Sequence, residues 1–229
     1  MNRIKHIDEA VGQVPPETAI TGETLGVATD RRQQLVIDVC ERLFTVLLAI
    51  PFAAAFIHVL PTRPDLIVIM TSEMLAVVLI LTRRFGAISL SPISVLTAFI
   101  GTALPLLVRP GGAAVLPEMV SLTGMMGGLI LSILSKLYLN RSFGLIAANR
   151  GVKIGGPYRF IRHPMYVGYV ISQVAFLGGS LSTRNLVIYA IAWVAQLIRV
   201  REEERVLFQD QDYRSFAERV RYRFIPGLC

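Results

Sequence analysis

Six apolar blocks, each near the length of a membrane span, follow one another along the chain at about 35–60, 65–82, 88–108, 115–139, 165–182 and 185–200. Polar or turn-forming residues separate them. Pro61 and Pro64 close the first, Arg83, Arg84 and Gly86 the second, and Arg109 to Gly112 the third. Gly178, Gly179 and Ser180 leave so little between the fifth and sixth that 165–200 reads as a tight helical hairpin. The sixth helix is expected to continue into water through REEERVLF. Residues 1–34 are polar and read as a soluble arm, with a short helix near Asp30 to Gln34. No basic start leads directly into an apolar core, so no cleaved signal peptide is expected. The pattern predicts an all-α polytopic membrane protein in three parts: an arm over 1–34, four transmembrane helices over 35–139, and a region over 140–229 holding a polar connector, the hairpin and a tail.

Composition supports this reading. Of the 229 residues, 53% are hydrophobic and 17% charged, fewer charges than a soluble domain carries. The net charge of +7 raises nucleic acid as a partner, but the cations flank the apolar blocks, so topology is the simpler cause. With six spans, nineteen Lys and Arg fall on the side of the termini and the 140–164 connector, Lys136 and Arg83 among them. Arg63, Arg109 and Arg184 fall on the other. That imbalance places both termini and the connector in the cytosol of a cell inner membrane. Cys40 and Cys229 are too few and too far apart for a disulfide framework, and His6, His58 and His163 are too scattered for a metal site. Gly124 and Gly128 suit close helix packing. Glu73 and Glu118 are candidate functional groups because ionisable residues are costly in or near a span.

The connector carries the chemistry. Gly155, Gly156 and Pro157 form a turn that delivers Tyr158 and Arg159 to the membrane surface. His163 and Pro164 stand where a helix starts, and its free N–H groups can meet an anion or carbonyl. Tyr166 and Tyr169 follow. The hairpin returns Arg199 and Glu203, four apart on one helix face, to the same surface. From the residues alone this is either a basic loop facing anionic lipid heads or a cytosol-facing polar site. A carboxylate and a guanidinium beside aromatic rings suit a zwitterionic ligand with a flat ring.

NRSFG (140–144), NRG (149–151), GPYRFIRHPMYVGY (156–169), EERVL (203–207) and DYRSFAERVRYRFIPGL (212–228) together resemble the isoprenylcysteine carboxyl methyltransferase family, which shades into the phospholipid methyltransferases. The resemblance implies S-adenosylmethionine bound at the cytosolic side over the hairpin. It implies that Tyr158 and His163-Pro164-Met165-Tyr166 form the cofactor motif, that Arg150, Gly151, Val152 and Lys153 line the cofactor, and that Glu203 holds its amino group. Arg199 would face a substrate carboxylate. Arg141, Arg162, Glu204, Tyr213 and Arg219 also stand on family positions. If the nucleophile needs deprotonation, His163 or a glutamate is the candidate base.

The implied partner is a lipophilic acceptor entering from the bilayer, with oligomeric state open. Eukaryotic members have longer amino-terminal membrane regions, so the acceptor stays open among a prenylcysteine carboxylate, a phospholipid amine and a small thiol. Two other readings remain. Membrane sterol reductases, which use NADPH, end similarly but more typically carry asparagine where this chain has Met165. A non-catalytic scaffold or transporter is disfavoured because the charges gather at one surface.

Overall fold

The computed structural model describes residues 31–59, 67–88, 91–109, 111–225 and 227. Each apolar block is helical: α1 (Arg31–Val59), α2 (Ile67–Thr82), α3 (Pro92–Ala103) with a 3-10 turn Leu104–Leu107, α4 (Glu118–Leu139), α5 (Pro164–Gly179) and α6 (Thr183–Leu207). A nine-residue α7 (Gln211–Arg219) follows. Of the expected arm, residues 1–30 lie outside the described residues, as do the turn at Pro61 and Pro64 and the side chain of His58. The expected short helix near Gln34 is the first turn of α1. Proline sets three helix starts: Pro92 and Pro164 occupy first-turn positions and Pro117 precedes Glu118.

The helices run alternately up and down. At one end Arg84 N–H donates to the Arg141 carbonyl at 2.8 Å, joining the exits of α2 and α4. At the other, the Leu116 amide meets the Gly178 carbonyl at 2.8 Å, and Asn185 Nδ2 donates to the Arg109 and Ser180 carbonyls at 2.9 and 3.0 Å. The helices between these ends are inside-out in polarity. Leu43, Leu47, Val174 and Val194 point outward and are exposed, while Asp38, Glu41, Arg83, Lys136 and Gln173 are buried. Among the described residues one helix, Glu118–Ser142, is long and apolar enough to cross a membrane by itself. The expectation of six such spans therefore holds for helix number and order but not for the length and apolarity of each. α2 and α3 are shorter apolar helices, α5 has 16 residues, and α1 and α6 carry charged turns at Asp38 to Arg42 and from Arg199 onward.

One expectation needs correction. Lys136 is not a cytosolic surface cation. It is fully buried, its Nζ donates to the Ser72 carbonyl and hydroxyl at 3.0 Å each, and it stands 5.3 Å from the Tyr169 ring centroid. The all-α expectation holds, with one small addition: β1 (Ala87–Ile88) and β2 (Ala148–Asn149) pair antiparallel, with Ala87 opposite Asn149. Two residues are too few to show an alternating pattern.

The closest packing joins α4 to α5. A Cβ on Gly128 would lie 2.5 Å from the Ser172 nitrogen and 2.6 Å from the Gly168 oxygen, whereas Gly127 has nothing within 4 Å. Backbone, not side chain, meets Gly128, so the helices must separate to admit a methyl group. Gly128→Ala is expected to destabilise by about 1–3 kcal/mol, and Gly127→Ala to leave stability unchanged. Thermal unfolding in detergent checks this; equal midpoints for the two variants would refute the close contact.

Candidate active site

The site forms where α4 ends and α5 begins. Between them the chain first turns inward, and Phe143, Leu145 and Ile146 join the core with Leu79 and Ile80. Glu41 on α1 holds this segment: its Oε1 accepts the Leu145 and Ile146 amides at 2.6 and 3.4 Å. The same oxygen pairs with Arg83, whose Nε donates to Asp38 at 2.9 Å. Asp38 also pairs with Arg42 at 2.7 Å. This buried cluster escaped the sequence reading, which singled out Glu73 and Glu118 instead. The signal was present as Asp38 and Glu41, three apart in an otherwise apolar run, but Arg83 lies more than 40 residues away. Glu118 is exposed at a helix start, where a carboxylate suits the dipole, and Glu73 is half-buried. Neither lines the cavities below.

The chain then passes β2 and turns at Gly156, whose φ of +56° favours glycine. A Cβ there would strike the Tyr138 ring at 2.3 Å. The 3-10 turn Gly156–Arg159 carries the buried Tyr158 inward, and His163 caps α5 with Pro164 in its first turn. Above these lies a cleft that opens to solvent. Arg150, Gly151, Val152, Lys153, Tyr158, His163, Met165, Tyr166 and Glu203 all line it. Of the predicted cofactor residues only Pro164 does not; it is buried under the helix start. A second cavity of about 330 Å³ is walled by Phe143 to Ala148 and shares Arg150, Met165 and Glu203 with the first.

Glu203 and Arg199 do not pair with each other. Glu203 Oε2 accepts the Tyr166 hydroxyl at 2.9 Å. Arg199 is buried, donates to the Gly144 carbonyl at 3.0 Å and lies 5.6 Å from the Tyr166 ring centroid. It lines neither cavity. Burial, with Glu203 nearby, raises the Tyr158 phenol well above its ordinary pKa, so it is neutral. Burial, reinforced by Arg83, lowers Arg150 to about 10, which leaves it charged at neutral pH.

Glu204 faces the other way and gathers three partners: Arg162 at 2.9 Å, His163 Nε2 at 3.2 Å and Arg223 at 2.8 Å. Burial alone would raise its pKa, but the His163 hydrogen bond and the charges of His163, Arg162 and Arg223 outweigh that and hold it below the ordinary carboxylate value. An ionised carboxylate only accepts, so His163 Nε2 carries the proton. The tail runs alongside: Arg162 and His163 amides donate to the Tyr222 and Arg223 carbonyls at 2.9 and 3.0 Å. α7 is fixed by Asp210, which accepts the Asp212 amide at 2.8 Å and Asn149 Nδ2 at 2.7 Å. Tyr213 and Phe216 pack on Tyr158 and close the cleft with Leu207. Tyr213 had been noted by position alone. Ser142, Phe143, Gly144, Leu207 and Phe216 stood in the quoted motifs without an assigned role, and Leu145 to Ala147 were not singled out; the signal for Phe216 was its spacing of three from Tyr213 on an amphipathic helix. Of the other residues noted by position, Arg141 Nε donates to the Thr82 carbonyl at 2.9 Å and Arg219 Nε to the Ser215 carbonyl at 3.3 Å, both away from the cleft.

Residues 134–209, a third of the chain, match the model of the isoprenylcysteine carboxyl methyltransferase (ICMT) family. The members of this family are S-adenosylmethionine-dependent integral membrane methyltransferases. The match spans the connector, the hairpin and both cavities' principal walls, and stops before α7. No curated protein and no solved structure matches the chain.

The depressed Glu204 pKa fixes the sign of a pH effect. Its contribution is present above the ordinary carboxylate value and lost as pH falls through the lower folded value. Amide exchange of Arg162 and His163, which donate to the tail carbonyls, is expected, once corrected for intrinsic rates, to stay slow at neutral pH and to quicken as pH falls through the lowered Glu204 value. In Glu204→Gln it is expected to be fast throughout. Slow exchange in that variant would show that the tail is held by something else.

Proposed function

We propose that this chain transfers a methyl group from S-adenosylmethionine to the carboxylate of a prenylcysteine-type acceptor at the cytosolic surface of the membrane. The observation that carries this reading is the convergence of Tyr158, His163, Met165, Tyr166 and Glu203 on one cleft, inside the stretch that matches the family. The cofactor supplies a methyl carbon already made electrophilic by its sulfonium. The cleft suits it: Glu203 is an acceptor for an ammonium group, and Tyr158, Tyr166 and Met165 offer polarisable faces to a ring and a cation. The protein's task is then chiefly to hold the acceptor oxygen and methyl carbon in line, near 3–3.5 Å.

The surroundings of the cleft favour a carboxylate over an amine or thiol. A carboxylate needs no base, and the candidate bases here are engaged. Glu203 accepts from Tyr166, Tyr158 is neutral, and His163 gives its Nε2–H to Glu204. In this reading His163 orients the loop through Glu204. Arg199, anchored on Gly144 and Tyr166, fixes the wall that presents Glu203. The apolar outer faces of α4 and α6 support lateral entry of the acceptor's lipid part. The cation excess on the connector side supports a cytosolic site.

Calorimetry on the full chain in detergent tests the reading. S-adenosylmethionine is expected to bind, with Glu203→Ala weakening it by about 1.5–3 kcal/mol, roughly 10- to 150-fold. Tyr166→Phe removes one neutral hydrogen bond and is expected to cost only about 0.5–1.5 kcal/mol. NADPH is expected not to bind. Binding of NADPH without the methyl donor would move the site to the reductases and end the proposal.

A further inference from the structure

Arg150 stands at the junction of the two cavities and lines both. It is 7% exposed, and its Nε and Nη2 have no partner among the described residues. Its one hydrogen bond is a long contact from Nη1 to the Ile146 carbonyl at 3.5 Å. A buried guanidinium left so short of acceptors is costly. The seat is nonetheless built for it. Gly144 leaves the room that Nη1 fills, since a Cβ there would lie 2.4 Å away, and a Cβ on Gly86 would meet the Arg150 stem at 2.7 Å.

The neighbouring charges are otherwise committed. Asp38 and Glu41, the acids of α1 that act on Arg150, pair with Arg83. Arg199 spends its charge on Gly144 and Tyr166. Arg162 spends two nitrogens on Glu204 and the Arg221 carbonyl. Lys153 is half-exposed. Glu203, the carboxylate that shares both cavities with Arg150, holds the Tyr166 hydroxyl.

We infer that Arg150 holds a reactant carboxylate in this site. Its two free nitrogens present a fork that matches the two oxygens of a carboxylate. The inference rests on the methyltransferase reading, in which two reactants carry such a group: the methionyl end of the cofactor, whose ammonium would sit on Glu203, and the prenylcysteine acceptor.

Paired ligands that differ only in the carboxylate test the inference and tell the sources apart. Full-length wild type, Arg150→Gln and Arg150→Lys are titrated with S-adenosylmethionine and with its decarboxylated analogue. N-acetyl-S-farnesylcysteine and its carboxamide are then compared as competing ligands. Wild type is expected to prefer the acid of one pair by about tenfold or more. Arg150→Gln should bring that ratio near one, and Arg150→Lys, which keeps the charge without the fork, should retain part of it. Collapse of the first ratio assigns the cofactor's carboxylate to Arg150; collapse of the second assigns the acceptor's. A ratio within one protein preparation is insensitive to the fraction folded. Survival of both ratios in Arg150→Gln, with S-adenosylmethionine still bound through Glu203, overturns the inference and leaves the methyltransferase reading standing. Failure of the wild type to bind S-adenosylmethionine overturns both.

Discussion

The carboxylate of Glu204 ties together three parts of the chain that local structure would leave independent. Arg162 comes from the connector, His163 from the start of α5, and Arg223 from the tail beyond α7. α6 supplies the carboxylate near its end. Because Glu203 precedes it on the same helical turn, the direction in which Glu204 is pulled also sets the direction in which Glu203 points. Adjacent residues on a helix differ by about 100° around its axis. One glutamate can therefore serve the scaffold while its neighbour faces the cleft. The tail's backbone pairing with Arg162 and His163 then holds the connector down along its length.

A second buried acid performs the matching task on the opposite wall. Glu41 accepts two backbone amides from the 145–146 segment and is itself neutralised by Arg83. Anchored from α1, this segment packs into the core with Leu79 and Ile80 and walls the second cavity. The first two helices, which lie outside the family-matched stretch, thus bear directly on the site through this one contact. Asp38 and Glu41 are turned inward onto partners, while leucine and valine face out.

The helices and much of the cleft were legible in the sequence because their signals are local. Block length and proline placement located the starts of α1 to α6 to within a few residues, but not α7, and Arg150 to Lys153, Tyr158 to Tyr166 and Glu203 fall in short contiguous runs. What stayed hidden depends on pairs distant in sequence. Lys136 counts as a surface cation when charges are tallied by segment, yet Ser72, 64 residues earlier, and Tyr169 on α5 draw it inside. The Asp38–Glu41–Arg83 cluster needs α1 and α2 in register before it exists. The role expected of Arg199 came from its motif position, which does not show that the guanidinium also meets the Gly144 carbonyl and the Tyr166 ring.

That occupation has a consequence for how charge is distributed over the site. A guanidinium stacked on Tyr166 strengthens the phenol as a donor, and the phenol donates to Glu203. The chain Arg199, Tyr166, Glu203 is therefore polarised toward the cleft, and each bond in it supports the next. In the proposed reading, Arg199 acts on the ligand's ammonium end at one remove, by fixing the carboxylate that receives it. Arg150, with two nitrogens unpartnered among the described residues, is the complementary pole. An anionic and a cationic group, both shared by two adjoining cavities, define a polar seam between them. Methyl transfer between a soluble donor and a lipid-borne acceptor would bring the two reactants together at such a seam.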